Sequence, residues 1–376
     1  MSSRQLSSPL GIHFSPFPHQ LSGANRSLLT LVEELARRGP VFVSTLCEGA
    51  LAVEARRAGA TVITSFSNSE KEKAKSRWRR LPKTIDSLRQ AIQRYQIQFV
   101  HCHSPAGSRC VWPAARITGV PLITHQREMY RSDAFHRGLG LADHILAVSQ
   151  WVKRSLPRRL HAKLSIIYDA VSLPSHTATI ARQDGPLRVG MAGRCIPGKG
   201  HDLLIQAVLA LKNRFEFETH IWGMDQSGKG AVYAQQLHDQ LSAAGDGVQN
   251  KVHFQPFRHD MENFYRAMDI VVVPSRNTEG LPRMALEAMA WGKPTVVAGH
   301  SGLIEVVDHG RTGLVFRSGD WRSLAEQLQR LLATEILRCQ LREAARAEVA
   351  RRFSVQGHAD AVQAVYRNVL SGRCQA

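Results

Sequence analysis

Two glutamates, Glu279 and Glu287, lie eight positions apart around the start of a predicted helix. An apolar, β-branched run from Ile270 to Val273 predicts a strand, and the pattern from about Arg283 to Trp291 predicts a helix. Pro282 fits the start of that helix, because the N–H that proline lacks has no intrahelical partner in the first turn. The spacing therefore puts Glu279 just before the helix and Glu287 about one and a half turns inside it.

Carboxylates and a helix N-terminus together suit a ligand that carries both hydroxyl groups and phosphate. The backbone N–H groups of Gly280 and Leu281 are predicted to face outward, where the helix dipole favours an anion. The two carboxylates accept hydrogen bonds from hydroxyl groups. This segment has partners for both ends of a sugar nucleotide, and an ordinary strand-turn-helix unit of an α/β domain is the structural alternative.

A second, glycine-rich segment carries two cations. Val189 to Arg194 ends a predicted strand, and Pro197 to Gly200 then opens a helix. Glycines such as Gly193 let the backbone approach a ligand closely. Arg194 and Lys199 can reach the carboxyl end of that strand, where ligands of open α/β sheets bind. The segment therefore predicts a phosphate site, with two surface cations beside a glycine turn as the alternative.

Apolar β-like runs such as Leu187 to Ala192 alternate with helical patterns, which predicts an α/β fold of parallel sheets with helices on both faces. The 376 residues suit two domains of ordinary size. A stretch rich in Ser, Thr and Pro, Ser172 to Pro186, is the predicted linker between domains at residues 1–175 and 186–353. The basic stretch Lys71 to Lys83 interrupts the alternation and is predicted to be a long functional loop.

The formal net charge is +18, and most of the excess lies in the first 180 residues. One basic cluster runs from Lys71 to Lys83 around Trp78, and another spans Lys153 to Arg159. Such a field attracts anionic surfaces, which include nucleic acid, an anionic membrane and an acidic glycolipid. A solvated charged loop is the alternative, and basic residues beside a tryptophan favour the membrane interface.

Several features bear on the compartment. No apolar run approaches the roughly 18 residues of a transmembrane helix, and residues 1–17 hold no apolar stretch long enough for a signal peptide. The six cysteines form neither a Cys-x-x-Cys pair nor a zinc-site spacing, which predicts reduced thiols in a cytosolic protein. His101-Cys102-His103 suggests a metal, but successive side chains of a strand point to opposite faces, so no metal site is predicted there.

The segment from Pro274 to Glu305 resembles the donor-binding motif of the retaining GT-B glycosyltransferases, specifically glycosyltransferase family four (glycosyl transferases group 1). The resemblance covers nearly the whole chain and is strongest in residues 187–316. It implies two Rossmann-like doubly wound domains facing an interdomain cleft. In that family the last helix often crosses back to the first domain, which suggests the same for residues 354–376. The matching elements are, in order, Pro274-Ser275, Glu279-Gly280, Glu287-Ala288-Met289-Ala290, Gly292-Lys293-Pro294, Gly302 and Glu305.

The resemblance also implies roles for the residues of the C-terminal half. Arg194 and Lys199, which follow Gly193, match a basic pair that binds the nucleoside diphosphate of the donor. Glu279 is implied to contact the transferred sugar, and Glu287 the ribose. Further donor contacts are implied for Gly280, Leu281 and Pro282.

The N-terminal half supplies two further candidates. His125 matches a family histidine that hydrogen-bonds the transferred sugar, whereas His101 and His103 are interpreted as packed or capping residues. The turn at Gly23 either joins a strand to a helix or, as in the family, lies beside the donor diphosphate and the acceptor. The family form of this loop has two glycines, and Ser22 takes the first place here.

The implied reaction needs no metal and no cofactor. By the usual account of the family, the anomeric configuration is retained through a front-face internal return, and the leaving diphosphate helps to deprotonate the acceptor. Catalysis is then mostly electrostatic stabilisation of the leaving group. The sequence has no Asp-x-Asp motif that would hold a divalent ion.

Taken together, these features predict a retaining glycosyltransferase, cytoplasmic and peripheral on the inner face of the membrane. It would move a hexose from a nucleotide-sugar donor to a glycan or lipid-linked acceptor in lipopolysaccharide or other cell-surface polysaccharide biosynthesis. A GT-B-fold sugar-nucleotide epimerase would need acid and base carboxylates in the cleft. A nucleic-acid-binding protein would need more stacking positions in its basic patch than Trp78 alone, so no nucleic acid partner is expected. An inactive scaffold would not need intact Arg194, Lys199, Glu279 and Glu287.

Overall fold

The computed structural model of the chain describes residues 9–19, 21–66, 77–174, 185–224, 228–245, 251–256, 258 and 261–373. Contacts within the chain divide it into two compact units. Unit 1 contains Met1–Ala170 and Ser354–Ala376, and unit 2 contains Val171–Phe353. Each unit holds one parallel sheet, which confirms the predicted α/β class. Most of the predicted linker lies outside the described residues.

Seven parallel strands form the sheet of unit 1 in the order β3-β2-β1-β4-β5-β6-β7. The strand order reverses between β1 and β4, and in doubly wound sheets ligands bind at the carboxyl ends of the strands near such a point. The strands are β1 (Gly11–Ser15), β2 (Phe42–Cys47), β3 (Thr61–Phe66), β4 (Phe99–Cys102), β5 (Leu122–Gln126), β6 (His144–Ala147) and β7 (Leu164–Ile166).

Helices cover both faces of this sheet, and a short 3-10 helix, Arg158–Lys163, precedes β7. Serine side chains cap three of the helices; Ser149, for example, accepts a hydrogen bond from the N–H of Val152, as expected of an N-cap. The helices are α1 (Gly23–Ala36), α2 (Ala50–Arg57), α3 (Arg77–Arg94), α4 (Pro105–Thr118), α5 (Asp133–Leu141), α6 (Gln150–Ser155) and the C-terminal α14 (Val355–Arg373).

Two apolar clusters form the core of unit 1, one on each face of the sheet. Neighbouring residues of β4 point to opposite faces, so Phe99 belongs to one cluster and Val100 to the other. The cluster around Val100 includes Leu88 of α3. The cluster around Phe99 includes Leu28 of α1 and Tyr366 of α14, so the C-terminal helix is part of this core.

Six parallel strands form the sheet of unit 2 in the order β10-β9-β8-β11-β12-β13. Ile270–Val273 is buried along its whole length, as expected for a central strand covered on both faces. The strands are β8 (Leu187–Ala192), β9 (Phe217–Met224), β10 (Val252–Pro256), β11 (Ile270–Val273), β12 (Thr295–Ala298) and β13 (Leu314–Phe316).

The helices of unit 2 follow its strands, as a doubly wound sheet requires. A 3-10 turn, Pro197–Lys199, precedes the first of them. They are α7 (His201–Leu211), α8 (Gly228–Ser242), α9 (Met261–Ala267), α10 (Arg283–Ala290), α11 (Leu303–Val306), α12 (Trp321–Ala333) and α13 (Glu335–Arg352).

The prediction of a long loop over Lys71 to Lys83 is wrong for its second half. Helix α3 begins at Arg77, and residues 71–76 lie outside the described residues. Thr84, Leu88 and Ile92 are spaced four apart and buried, so one face of the helix packs on the core although its amino-terminal turns are basic. The charged residues of the first turns made the helical period of the buried residues hard to detect in the sequence.

Two further observations concern membrane-spanning helices and cysteines. Among the described residues no helix has both the length and the apolar character needed to cross a membrane. The five cysteines within them, Cys47, Cys102, Cys110, Cys195 and Cys339, are free thiols, as predicted.

Candidate functional site

Glu279 lies in the loop between β11 and α10, and hydrogen bonds fix its carboxylate and its backbone. Lys199 donates from Nζ to Glu279 Oε1 at 2.5 Å, and the Ser275 hydroxyl donates to the same oxygen at 2.8 Å. The Glu279 N–H donates to the hydroxyl oxygen of Ser301 at 3.0 Å. The Lys199 and Glu279 side chains are 26% and 21% exposed, so a ligand can reach both. The two segments that the sequence singled out therefore meet in unit 2.

A close backbone contact holds these two loops together. Gly200, directly after Lys199, has a φ of 77°, a conformation that favours glycine. A Cβ at Gly200 would lie 2.1 Å from the carbonyl oxygen of Pro274, in the loop that leads to Glu279. Glycine at this position therefore allows the contact that brings Lys199 to Glu279.

Arg194 differs from Lys199 in having no acidic partner among the residues that the structure describes. It is exposed two residues beyond β8, and it forms no ion pair with any residue that the structure describes. Gly193 lies beneath Lys199, since a Cβ there would be 3.9 Å from the lysine side chain. This end of β8 thus presents one cation paired with a carboxylate and one cation available to an anionic ligand.

Glu287 is held inside helix α10 by two partners. Tyr265 of α9 donates from its hydroxyl to Glu287 Oε2 at 2.9 Å, and Arg283 donates from Nε to Oε1 at 3.0 Å. Tyr265 is buried, whereas the Glu287 side chain is 18% exposed. Both carboxylate oxygens are therefore oriented by the protein and retain capacity to accept a hydrogen bond from a ligand hydroxyl.

The backbone at the start of α10 lies next to these carboxylates in the chain. Pro282 immediately precedes the helix, and its carbonyl oxygen accepts from the N–H of Leu286 at 3.2 Å. Within the described ranges, the N–H groups of Gly280 and Leu281 donate no backbone hydrogen bond. A Cβ at Gly302 would lie 2.3 Å from the carbonyl oxygen of Gly280, so glycine permits close packing behind this turn. The turn can therefore offer N–H groups to an anion.

In unit 1, His125 is part of a buried network centred on Arg127. Arg127 donates to Asp169, from Nε to Oδ2 at 3.0 Å and from Nη2 to Oδ1 at 3.2 Å. The same guanidinium lies 3.2 Å from Nδ1 of His125 and 3.3 Å from Nδ1 of His103. Although burial opposes it, this contact holds the pKa of Asp169 below 3.8. Arg127 and Asp169 thus form a charge-balanced ion pair beside the buried histidines.

The contact with Arg127 decides where His125 carries its proton. Because a guanidinium only donates, Nδ1 of His125 accepts, and the proton of the neutral ring lies on Nε2. Burial lowers the pKa of His125 well below 6.5, and Arg127 acts in the same direction. The buried Nε2 has no hydrogen-bond partner among the described residues. His125 therefore carries a neutral N–H donor, but its ring is fully buried here, so the contact with the transferred sugar that the resemblance implies stays a prediction.

Gly23 is the first residue of α1, and not a turn residue before the helix as predicted. Ser22 stands at the N-cap position, but its side chain makes no capping hydrogen bond. Gly23 and His125 belong to unit 1, whereas the candidates from Gly193 to Glu287 belong to unit 2. The structure thus brings the unit 2 candidates together within one domain.

Three histidines of unit 1 converge, whereas Cys102 packs on the other face of the sheet, as the alternation of side chains along a strand predicts. Two residues apart, His101 and His103 share a face and meet His13 of β1, with ring nitrogens of all three within 4.8 Å. His103 Nε2 lies 3.1 Å from His13 Nδ1, and His101 Nδ1 lies 2.7 Å from the Tyr366 hydroxyl. We interpret this cluster as a buried hydrogen-bond network, since protein groups contact at least one nitrogen of each ring and both nitrogens of His103.

Four residues around the candidates did not emerge from the sequence. Arg127 follows His125 by two positions, so its place on the same face of the chain was a signal that could have been used. Arg283 precedes Glu287 by one helical turn, which is a standard ion-pair spacing. Asp169 and Tyr265 are remote in sequence from their partners, and only the fold brings them there.

Comparison with known proteins gives the family. Residues 21–173 match the profile described as Glycosyltransferase Family 4, and residues 186–334 match Glycosyl transferases group 1. Both profiles fall on the Rossmann-like sheets described above. The chain belongs to glycosyltransferase family 4, group 1, and has the GT-B fold, as the resemblance implied.

Curated relatives match different lengths of the chain. An uncharacterized glycosyltransferase of Methanocaldococcus jannaschii is 26% identical over 74% of this chain and 77% of its own length. A D-inositol 3-phosphate glycosyltransferase of Saccharomonospora viridis is 34% identical over 49% of this chain and 43% of its own. The lipopolysaccharide core biosynthesis mannosyltransferase LpcC of Rhizobium leguminosarum is 28% identical over 55% of this chain and 60% of its own. The chain thus spans about half the length of the last two.

Solved structures share the fold along nearly the whole chain. A glycosyltransferase from Rickettsia africae superposes with a TM-score of 0.81 at 20% identity, covering 96% of this chain and 99% of its own. HepE of Anabaena, solved in complex with UDP-glucose, gives a TM-score of 0.79 at 20% identity and the same coverage of both chains.

Proposed function

We propose that this protein transfers a hexose from a nucleotide-sugar donor to a glycan or lipid-linked acceptor. The observation that carries the proposal is the contact between Lys199 Nζ and Glu279 Oε1 at 2.5 Å. It joins a cation suited to phosphate and a carboxylate suited to sugar hydroxyls, 80 positions apart in sequence. Together with the start of α10, these groups match both ends of a nucleotide sugar.

Each group has a distinct role in this proposal. Arg194, which is exposed, binds the diphosphate, and Lys199 binds it beside the sugar. Glu287, oriented by Tyr265 and Arg283, accepts hydrogen bonds from the ribose. Glu279 accepts from the transferred sugar.

The chemistry that follows is electrostatic. When the bond between the anomeric carbon and the phosphate breaks, negative charge develops on the diphosphate, and Arg194 and Lys199 stabilise it. The oxygen of the acceptor hydroxyl forms its bond to the anomeric carbon on the face from which the diphosphate departs, and its proton passes to the leaving diphosphate, so the anomeric configuration is retained. These two cations and the backbone N–H groups of the Gly280 turn supply the positive charge, and transfer is proposed to proceed without a divalent metal.

The donor base and sugar rest on the solved relatives. HepE, which is 20% identical to this chain, was solved in complex with UDP-glucose. A UDP-hexose is therefore the first donor to test. The decisive experiment is a panel of UDP-, GDP- and ADP-sugars, with thermal stabilisation and slow donor hydrolysis as readouts that need no acceptor. One donor class should stabilise the wild type and fail to stabilise Arg194→Ala. Equal stabilisation of both proteins by every donor would contradict the site.

Relatives also support a cell-surface acceptor. The names of matched proteins include an inositol phosphate glycosyltransferase and a lipopolysaccharide core mannosyltransferase. The proposed acceptor is therefore a lipid-linked or lipopolysaccharide-type glycan, reached from the cytoplasmic face of the membrane. The basic segment Lys153 to Arg159, in which Arg154 and Arg158 are exposed, carries the charges proposed to contact anionic lipid.

Liposome sedimentation tests the membrane proposal. Wild-type binding should increase with anionic lipid content and decrease with salt, because salt screens surface charge. Arg154→Ser with Arg158→Ser should bind less. A matched control, Arg322→Ser with Arg330→Ser, removes the same charge from unit 2 and should bind as the wild type does. If both double variants lose liposome binding equally, binding depends on net charge alone, and the assigned surface is refuted.

A further inference from the structure

Three partly buried side chains lie on one face of the unit 2 sheet, beside its β10 edge. Glu218 and His220 are two positions apart on β9, so both point to the same face. His253 lies on the edge strand β10, opposite His220 in register. One ligand atom from each of the three, a carboxylate oxygen and two imidazole nitrogens, lies within 4.8 Å of the others.

The contacts in this cluster are close and accessible. His220 Nε2 lies 3.2 Å from Glu218 Oε2, and the rings of His220 and His253 have centroids 4.8 Å apart. The side chains of His220 and Glu218 are 15% and 28% exposed, so an ion from solvent can reach them. Arg188 of β8 donates from Nε to Glu218 Oε2 at 3.1 Å, and it is the cation next to the cluster.

The cluster lies apart from the donor-motif residues. Glu218 and His253 are each the second residue of their strand, near the amino ends of the sheet. The donor-motif residues follow the carboxyl ends of β8 and β11. In a parallel sheet the amino ends of all strands lie on one side and the carboxyl ends on the opposite side. The proposed transfer reaction therefore gives no reason for this group.

We propose that Glu218, His220 and His253 bind a divalent transition-metal ion, with Zn²⁺ as the best fit. Magnesium and calcium prefer sites made of oxygen ligands, whereas two imidazoles and one carboxylate form a common ligand set for zinc. Water completes the coordination. Because the ligands come from two strands, the ion ties the edge strand β10 to β9 and stabilises unit 2 by mass action.

Arg188 limits the affinity of this site. Its guanidinium repels a cation and competes for the Glu218 carboxylate, so the site binds zinc less tightly than a closed structural site does. Arg188→Gln removes both effects and should tighten zinc binding severalfold. This gain in affinity is specific to the proposed ligand set, since no other role of Glu218 predicts it.

The buried histidines of unit 1 are the competing cluster. His13, His101 and His103 also have ring nitrogens within 4.8 Å, but all three are buried and lack a carboxylate. Their ring nitrogens contact one another, Tyr366 and Arg127. The cluster on β9 and β10 is reachable and carries a compensating negative charge, which favours it as the ion site.

The test uses the full chain without a histidine tag, stripped of metal and then freed of chelator. Competition with a chromophoric zinc indicator should show one equivalent of Zn²⁺ bound. His220→Gln and His253→Gln should each weaken binding at least tenfold, and Zn²⁺ should raise the Tm of the wild type but not of these variants. His238→Gln, an exposed histidine of α8 outside the cluster, is the matched control and should bind as the wild type does.

Two outcomes would overturn the proposal. One is the absence of stoichiometric binding by the wild type, and the other is unchanged affinity in His220→Gln and His253→Gln. Histidine modification with diethyl pyrocarbonate, read by mass spectrometry on the wild type, needs no variant. Zinc should protect the peptides that hold His220 and His253, and protection of His13, His101 or His103 instead would place the ion in unit 1 and refute this site. The outcome is independent of sugar transfer, which is measured separately.

Discussion

Acidification from pH 7 to pH 5 should destabilise unit 1 through its buried histidines. His13, His101, His103 and His125 form one layer in which each ring lies near at least two others. Burial is the main cause that lowers the pKa of each, to about 3 for His13 and well below 6.5 for the other three. In the unfolded chain the same rings take up protons near pH 6.5.

The sign and size of the effect follow from these pKa values. Between the folded and unfolded pKa values the unfolded state binds more protons, so this stability is fully present above pH 6.5 and is lost as the pH falls. For His13, pH 5 is one and a half units below 6.5, which at about 1.36 kcal/mol per unit costs about 2 kcal/mol. The other three histidines act in the same direction. Asp169, with a pKa below 3.8, contributes only in more acidic solution.

Urea unfolding at pH 7 and pH 5 measures the effect. In His13→Asn the amide oxygen can replace Nδ1 as the acceptor for His103, and the variant should lose about 2 kcal/mol less than the wild type on acidification. His309→Asn changes an exposed histidine and should lose as much as the wild type. An equal loss in His13→Asn and the wild type would refute the reasoning. NMR titration of the wild type gives a second test, because the His13 ring should stay neutral at pH 5.

Four further predictions concern the proposed transfer. Arg194→Ala or Lys199→Ala should lower turnover at least tenfold with an unchanged Tm, since each removes a charge-assisted contact of about 1.5–3 kcal/mol; wild-type rates would contradict the diphosphate site. Glu287→Gln should weaken binding of the free nucleoside diphosphate in calorimetry, and Glu279→Gln should spare that binding but impair transfer; the reverse pattern would overturn the roles. Tyr265→Phe should raise the KM for donor more than it lowers kcat, because the tyrosine acts by orienting Glu287, and a pure kcat effect would argue against that role. Transfer should persist in excess EDTA, whereas complete loss restored by Mg²⁺ would show the metal-free mechanism to be wrong.

The sequence was a good guide wherever local pattern and tertiary environment agree. Leu187 to Ala192 was predicted as a strand and is β8, a short apolar run whose central residues, Val189 to Met191, are buried. The helix after Pro282 begins at Arg283 as expected, since proline and the apolar period mark the same boundary. The start of α3 was missed because the period of its buried residues lies downstream of a charged run.

The geometry of the candidate site was predictable only in part. Residue types and spacing drew attention to Lys199 and Glu279, but the hydrogen bond between them depends on how closely two loops pack at Gly200. The network around His125 depends on Asp169, whose position no local pattern indicates. Local pattern specifies which residues are near a strand end, and packing across the sheet specifies which of them touch.

Helix α14 links the completion of unit 1 to the order of protein synthesis. Tyr366 of this helix packs in the core beside Phe99 and contacts His101. Asp360 pairs with Arg38, which is synthesised early. A ribosome releases these C-terminal residues only after all of unit 2 has been made, so the part of the unit 1 sheet that α14 covers stays uncovered until then. The domain nearest the N-terminus is thus the last to close, and unit 2 is free to fold before it.

The same dependence governs any attempt to separate the two units. A fragment that stops at residue 174 lacks the apolar face of α14 and exposes the cluster around Phe99 to water. Joining residues 354–373 to that fragment through a flexible linker restores the missing face in cis. Separating the two units genetically therefore requires cuts after residue 174 and before residue 354, and a new linker between the two parts of unit 1.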